Sequence, residues 1–103
     1  MKHVVPHELD GETARRVAVH AADAYRVRYA RYSPRIEWAT PTQCRIHFRV
    51  RGVAVRGELV LVPGAIEMSL DVPLVLRPFR GKAIAVIEEE ILRWLAKARN
   101  GEI

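Results

Sequence analysis

The chain has one cysteine, Cys44, among 103 residues. A lone cysteine cannot close an internal disulfide, so the fold must rest on its core, and the count fits a reducing compartment. Lysine is nearly missing. It occurs only at positions 2, 82 and 97, so arginine carries almost all the positive charge. No run approaches the roughly 18 apolar residues that a membrane-spanning helix needs. The N-terminal "MKHVVPHELDGE" has no apolar stretch of signal-peptide length and soon turns acidic. These absences predict a soluble, cytoplasmic protein. There is also no Gly-rich phosphate loop and no nucleophile motif, the usual marks of nucleotide binding and of acyl transfer. No enzyme activity and no cofactor are expected.

What is present is an ordinary globular composition, with 50% hydrophobic and 28% charged residues. The length suits one domain, 1–103, with a single core. A formal net charge of +5 makes an anionic partner worth testing, because a positive field raises the encounter rate with polyanions. An arginine-rich surface that only keeps the protein in solution is the competing account.

Hydrophobic periodicity divides the chain into β-α-β-β-β-β-α. Residues 2–5 form a short strand ended by Pro6. Asp10 is an N-cap candidate, with Glu12 well placed in the first turn of a helix running to about Tyr29. Ala14, Val17, Ala18, Ala21 and Tyr25 recur at helical spacing and make a narrow stripe of mostly small residues. Ser33-Pro34 breaks the chain ahead of "RIEWA", with Ile36 and Trp38 on one face. The turn residues "TPTQ" follow, then "CRIHFRVRG" from 44 to 52. Val53, Val55, Leu59 and Leu61 continue a period of two interrupted by Gly57, and Pro63-Gly64 suits a type II turn. Ile66, Met68, Leu70 and Val72 then alternate with polar residues. Four such strands on short turns predict an antiparallel meander. A last helix from about Lys82 to Arg99 carries Ile84, Ile87, Ile91, Trp94, Leu95 and Ala98 on one side. One apolar face per element gives an α+β fold: one antiparallel sheet with two helices packed on one face.

The stretch "CRIHFRVRG" has one greasy and one basic face. Cys44, Ile46, Phe48 and Val50 alternate with Arg45, His47, Arg49 and Arg51. Arg45, His47, Arg49 and Arg51, with Arg56, are the candidate residues for an anionic surface or a partner. A second copy packed on this open face, as a homodimer, is another candidate use. Nucleic acid is an alternative partner. It would need exposed aromatic platforms as well as arginines, and Trp38 and Phe48 are predicted on the inner face. A further alternative is a small apolar ligand held between helices and sheet.

The other chemistry-bearing residues read as structural. Cys44 is predicted inside, where a thiol is inert. His3 and His7 have a spacing found in some metal sites, but they straddle Pro6 and lack a cysteine or carboxylate cluster, so no metal is expected. His7 is expected to fix the entry to the first helix. His20 and Asp23 read as an exposed pair of helix neighbours. Consecutive helical residues point about 100° apart, so Glu88, Glu89 and Glu90 cannot converge on a substrate and read as a solvated face. The segment "PLVLRPFRG", 73–81, is apolar and bounded by proline. Such segments ordinarily pack beneath the helix that follows. The alternative is a lip, with Leu74, Val75, Leu76 and Phe79 meeting an apolar surface and Arg77 and Arg80 meeting anionic groups around it.

Several of these features occur together in one family. "HEL" (7–9) precedes a helix carrying "ARR" (14–16). Trp38 and Phe48 lie in successive strands, Gly52 and Gly57 follow, and "LVLRPFRGKAIAVIEEEIL" (74–92) closes the pattern. In these features the chain resembles the polyhydroxyalkanoic acid system family, small bacterial proteins linked to storage-polyester granules. None of the shared motifs is catalytic. The resemblance implies a non-enzymatic protein whose partner is a polyhydroxyalkanoate granule or a granule-coat protein, with the granule surface as its place in the cell. In that setting the 74–80 segment is the candidate contact with the granule.

Overall fold

Alternating apolar residues need a covering layer, and the two helices supply it. The computed structural model describes residues 2–103. In order it contains β1 (Lys2–Pro6), α1 (Gly11–Arg28), β2 (Arg35–Thr40), β3 (Gln43–Val50), β4 (Val53–Val62), β5 (Ala65–Asp71) and α2 (Arg80–Arg99). Short 3-10 segments, Ala30–Tyr32 and Leu74–Phe79, lead into β2 and α2. The α+β arrangement with both helices over one face of a single antiparallel sheet is as the periodicity predicts. α2 begins two residues early, at Arg80.

The sheet runs β1-β5-β4-β3-β2. The meander from β2 to β5 follows from its short turns. β1 lies at the far edge, paired antiparallel with β5. α1 therefore carries the chain from one edge of the sheet to the other. Asp10 caps it, its Oδ1 accepting from the Thr13 N–H at 2.7 Å. This bond holds the Asp10 carboxyl below the usual carboxylate range. Ala14, Val17, Ala18, Ala21 and Tyr25 are all buried, and Ala22 joins them. The alanines leave room for α2 alongside α1, and Ile87, Ile91 and Leu95 of α2 complete the core with Cys44, Ile46, Phe48 and Ile66 of the sheet. Burial pushes the Cys44 thiol up to about 11 and the Tyr25 hydroxyl up to about 12.

Gly57 does not interrupt β4. It faces the core between Ile46 and Leu70, and a Cβ there would lie 2.5 Å from Leu70 Cδ2 and 3.2 Å from the Ser69 carbonyl. The missing side chain is the space that Leu70 fills. The β3–β4 connection is a two-residue turn, Arg51-Gly52, with φ of 52° and 79°. Two positive values match the twist of a hairpin, at the cost of holding an arginine in the left-handed region.

The run of three glutamates is not one solvated face. Glu89 is exposed, but Glu90 is buried and Glu88 half-buried. The packing of α1 against α2 explains Glu90: its Oε2 lies 3.0 Å from Arg28 Nε of α1, and its Oε1 lies 2.9 Å from Arg93 Nη1. Two arginines answer the desolvated carboxylate. Glu88 reaches β1, 2.5 Å from His3 Nε2. His20 and Asp23 do not pair with each other. His20 stacks on Trp94 with centroids 4.8 Å apart, and Asp23 lies 3.6 Å from Arg26.

Candidate functional site

Strand register sets what the open face presents. Its outward residues fall into cross-strand rows. One row reads Arg35, His47, Arg56, Asp71, and the next reads Glu37, Arg45, Glu58, Ser69. Arg49 stands opposite Ala54 and donates to the Gly52 carbonyl at 3.4 Å. Farther along, Val60 lies between Gln43 and Glu67, and Glu67 pairs in register with Val4. Among the described side chains, Arg35, Arg45, Arg49 and Arg56 therefore share the face with Glu37, Glu58, Glu67 and Asp71. The strand that is basic in isolation belongs to a charge-balanced sheet. Opposite charges directly across a strand pair are attractive by about 0.2–1 kcal/mol, so the arrangement supports the sheet itself. Trp38 and Phe48 lie on the helix side, as their alternation predicts.

Arg51 departs from the expected face. Alternation along the sequence runs through it, but β3 ends at Val50 and the turn carries Arg51 to the end of the sheet. There its guanidinium lies 5.5 Å from the centre of the Phe79 ring, within reach of a cation–π contact. One end of the molecule thus joins the hairpin arginine to the 74–79 segment.

That segment is neither all core nor all lip. Leu76 is buried, so it is removed from the candidate surface. Its N–H donates to the Pro73 carbonyl at 2.8 Å, closing the turn that drives the side chain inward. Leu74, Val75 and Phe79 remain 77%, 71% and 42% exposed. In a 3-10 segment successive side chains turn by about 120°, so one inward leucine sends its neighbours outward. Arg77 and Pro78 are exposed. Arg80 is half-buried in the first turn of α2, with its Nε inaccessible and without a partner. Leu74 and Val75, with the partly exposed Phe79 at its end, make this segment an exposed apolar ridge, with Arg51 beside the Phe79 ring and Arg77 exposed within it.

The remaining groups make no comparable surface. His7 accepts the Leu9 N–H on Nδ1 at 3.1 Å and so fixes the entry to α1. Its Nε2 is buried without a partner beside a cleft of about 560 Å³ that is also lined by Leu92, Leu95 and Arg99. One pocket between the helices and the sheet, lined by Ala21, Tyr25, Ile46 and Ile91, has about 10 Å³ of free space. That admits at most one water, not an apolar ligand. Among the described residues no three His, Cys, Asp or Glu side chains are placed to share a metal ion, and no helix is long and apolar enough to cross a membrane.

The ridge and the hairpin both lie within a stretch that has known counterparts. A family model described as "Putative polyhydroxyalkanoic acid system protein" matches residues 3–95, from β1 through Leu95 of α2. No curated protein matches the chain. The matched stretch takes in β1 from His3, the other four strands, α1, the 3-10 ridge and α2 through Leu95, which is nearly the whole architecture described above. The chain belongs to the family of polyhydroxyalkanoic acid system proteins.

Proposed function

We propose that this protein serves polyhydroxyalkanoate storage without catalysis, by docking through the ridge at 74–79 on the granule or on a protein that coats it. The observation that carries the reading is the exposure of Leu74 and Val75 on a segment anchored from beneath by Leu76. A large apolar side chain gains roughly 1.5–3 kcal/mol on full burial. Scaled by the exposures of 77%, 71% and 42%, the three ridge residues hold about 3–6 kcal/mol of unused apolar contact. Lost translational and rotational freedom offsets about 4 kcal/mol or more of this, so the ridge of one molecule alone gives only weak docking. Arg51 and Arg77 add attraction where the docked surface carries anions, and salt screens that part but not the apolar part. Granule-associated protein in the cytoplasm is the corresponding location.

Co-sedimentation with polyhydroxybutyrate particles across a salt series tests the reading. Wild-type protein is expected to be retained even at about 1 M salt, where charge interactions reach only about 3 Å. Leu74→Ser/Val75→Ser should lose at least about tenfold in retention while keeping the wild-type melting curve, because neither side chain is in the core. Retention of this variant at the wild-type level would refute docking through the ridge. No retention of the wild type on bare or protein-coated particles would refute docking altogether.

A further inference from the structure

The outer edge of β2 offers a second interaction surface. β2 pairs with β3 on one side only. Among the described residues, no backbone hydrogen bond from outside the sheet reaches positions 35–40. Edge strands of this kind are templates for another strand unless something blocks them. β1, the opposite edge, ends in Pro6, which has no N–H to donate. The irregularity between Trp38 and Thr40 confines regular pairing on β2 to the residues before it.

The side chains of β2 select the partner. Arg35 and Glu37 are two apart, both exposed, and both on the open face of the sheet. When a second copy pairs antiparallel with Ile36 opposite Ile36, each Arg35 stands directly across from the other copy's Glu37. Sliding the register by two residues puts Glu37 against Glu37 in one direction and Arg35 against Arg35 in the other. Sliding by one exchanges the two faces and turns Ile36 and Trp38 away from the helix layer. Only the Ile36-centred register therefore matches charge and face together. The half-buried Ile36, Trp38 and Tyr32, on the helix side, lie near the same edge and supply apolar contact.

We infer that the protein forms a twofold dimer by antiparallel β2–β2 pairing centred on Ile36, making one ten-stranded sheet. This assigns a self-association role to the edge rather than to the open face. Stacking two open faces would bury four arginines and four carboxylates from each copy, a heavy desolvation cost. A twofold axis normal to the sheet keeps all four helices on one side and sends the two 74–79 ridges to opposite ends. The dimer does not depend on the docking reading, and its test does not involve granules.

Sedimentation of purified protein, from micromolar to near-millimolar concentration, tests the pairing. The wild type is expected to move from the 11.7 kDa monomer to twice that mass. Arg35→Glu or Glu37→Arg alone places like charges opposite each other at both symmetry-related positions, and each should weaken association about tenfold or more. The double reversal Arg35→Glu/Glu37→Arg should restore the dimer. An equimolar mixture of the two single variants should also dimerise, because their edges complement each other. Circular dichroism of every variant separates these outcomes from loss of fold. A wild type that stays monomeric, singly reversed variants that dimerise like the wild type, or folded single variants whose mixture stays monomeric would each overturn the inference.

Discussion

Replacing Glu90 with glutamine tests whether the two helices are locked by charge or only by shape. Glu90 is 3% exposed, with Arg28 Nε at 3.0 Å and Arg93 Nη1 at 2.9 Å from its two oxygens. Glutamine keeps the shape but not the charge. Its oxygen can accept from one arginine, while its amide nitrogen faces the other, donor against donor. Hydrogen bonds to charged groups contribute about 1.5–3 kcal/mol each, and the surviving bond, with only the arginine charged, falls toward the low end of that range. Removing one partner from a fully buried ion pair costs about 3–5 kcal/mol. Here the Arg28 and Arg93 side chains are 51% and 34% exposed and can turn to water. The expected loss for Glu90→Gln is therefore about 2–3 kcal/mol, or roughly 10–20 °C in Tm for a chain of this size. Glu90→Met should lose less. It leaves no buried amide unpaired and adds apolar contact to a wall that includes Tyr25, Ile87 and Ile91. Denaturant and thermal unfolding followed by circular dichroism measure both variants. A Glu90→Gln protein within about 0.5 kcal/mol of the wild type, or a methionine variant weaker than the glutamine one, would refute the charge lock.

Two more perturbations follow from the core. Gly57→Ala should destabilise by about 1–3 kcal/mol, because the new methyl meets Leu70 and the Ser69 carbonyl; a stabilised variant, the usual result of removing glycine from a compatible site, would mean that the sheet relaxes freely. Alkaline stability should also fall early. The folded-state values of Cys44 and Tyr25 are raised, from 9.0 to about 11 and from 10.0 to about 12. The stability linked to the neutral groups is therefore complete below about pH 9 and lost as pH rises through about 11 and 12, by up to about 3 kcal/mol per group. Denaturant midpoints across this window should slope less steeply in Cys44→Ala/Tyr25→Phe, and an unchanged slope would place the sensitivity elsewhere.

The elements themselves are legible in the sequence because their signals are local. A period of two from Ile66 to Val72, a helical stripe from Ala14 to Tyr25 and an N-cap at Asp10 each need only a few neighbouring residues. Errors arise where the chain turns. Alternation carries Arg51 on paper to the open face, but two positive φ values at Arg51 and Gly52 reverse the chain and carry it toward Phe79. In 74–79, six mostly apolar residues look alike until the 3-10 turn buries Leu76 and leaves Leu74 and Val75 exposed. Glu90 left one signal: it stands three residues after Ile87, next to Ile91, and so on the edge of the apolar stripe. Its type concealed this, because a lone glutamate reads as solvated until a partner from another element is known.

The sequence alone determines the two helices, the four-strand meander and which side of each element is apolar, since hydrophobic period and turn chemistry act over a few residues. Tertiary structure alone decides that β1 closes beside β5, that Arg28 reaches Glu90, and that the arginines of β3 stand among carboxylates of β2, β4 and β5. It alone brings the arginine hairpin to the apolar ridge as well. These are contacts between residues far apart in the chain. They depend on strand order and register, which the alternation of any single strand does not contain.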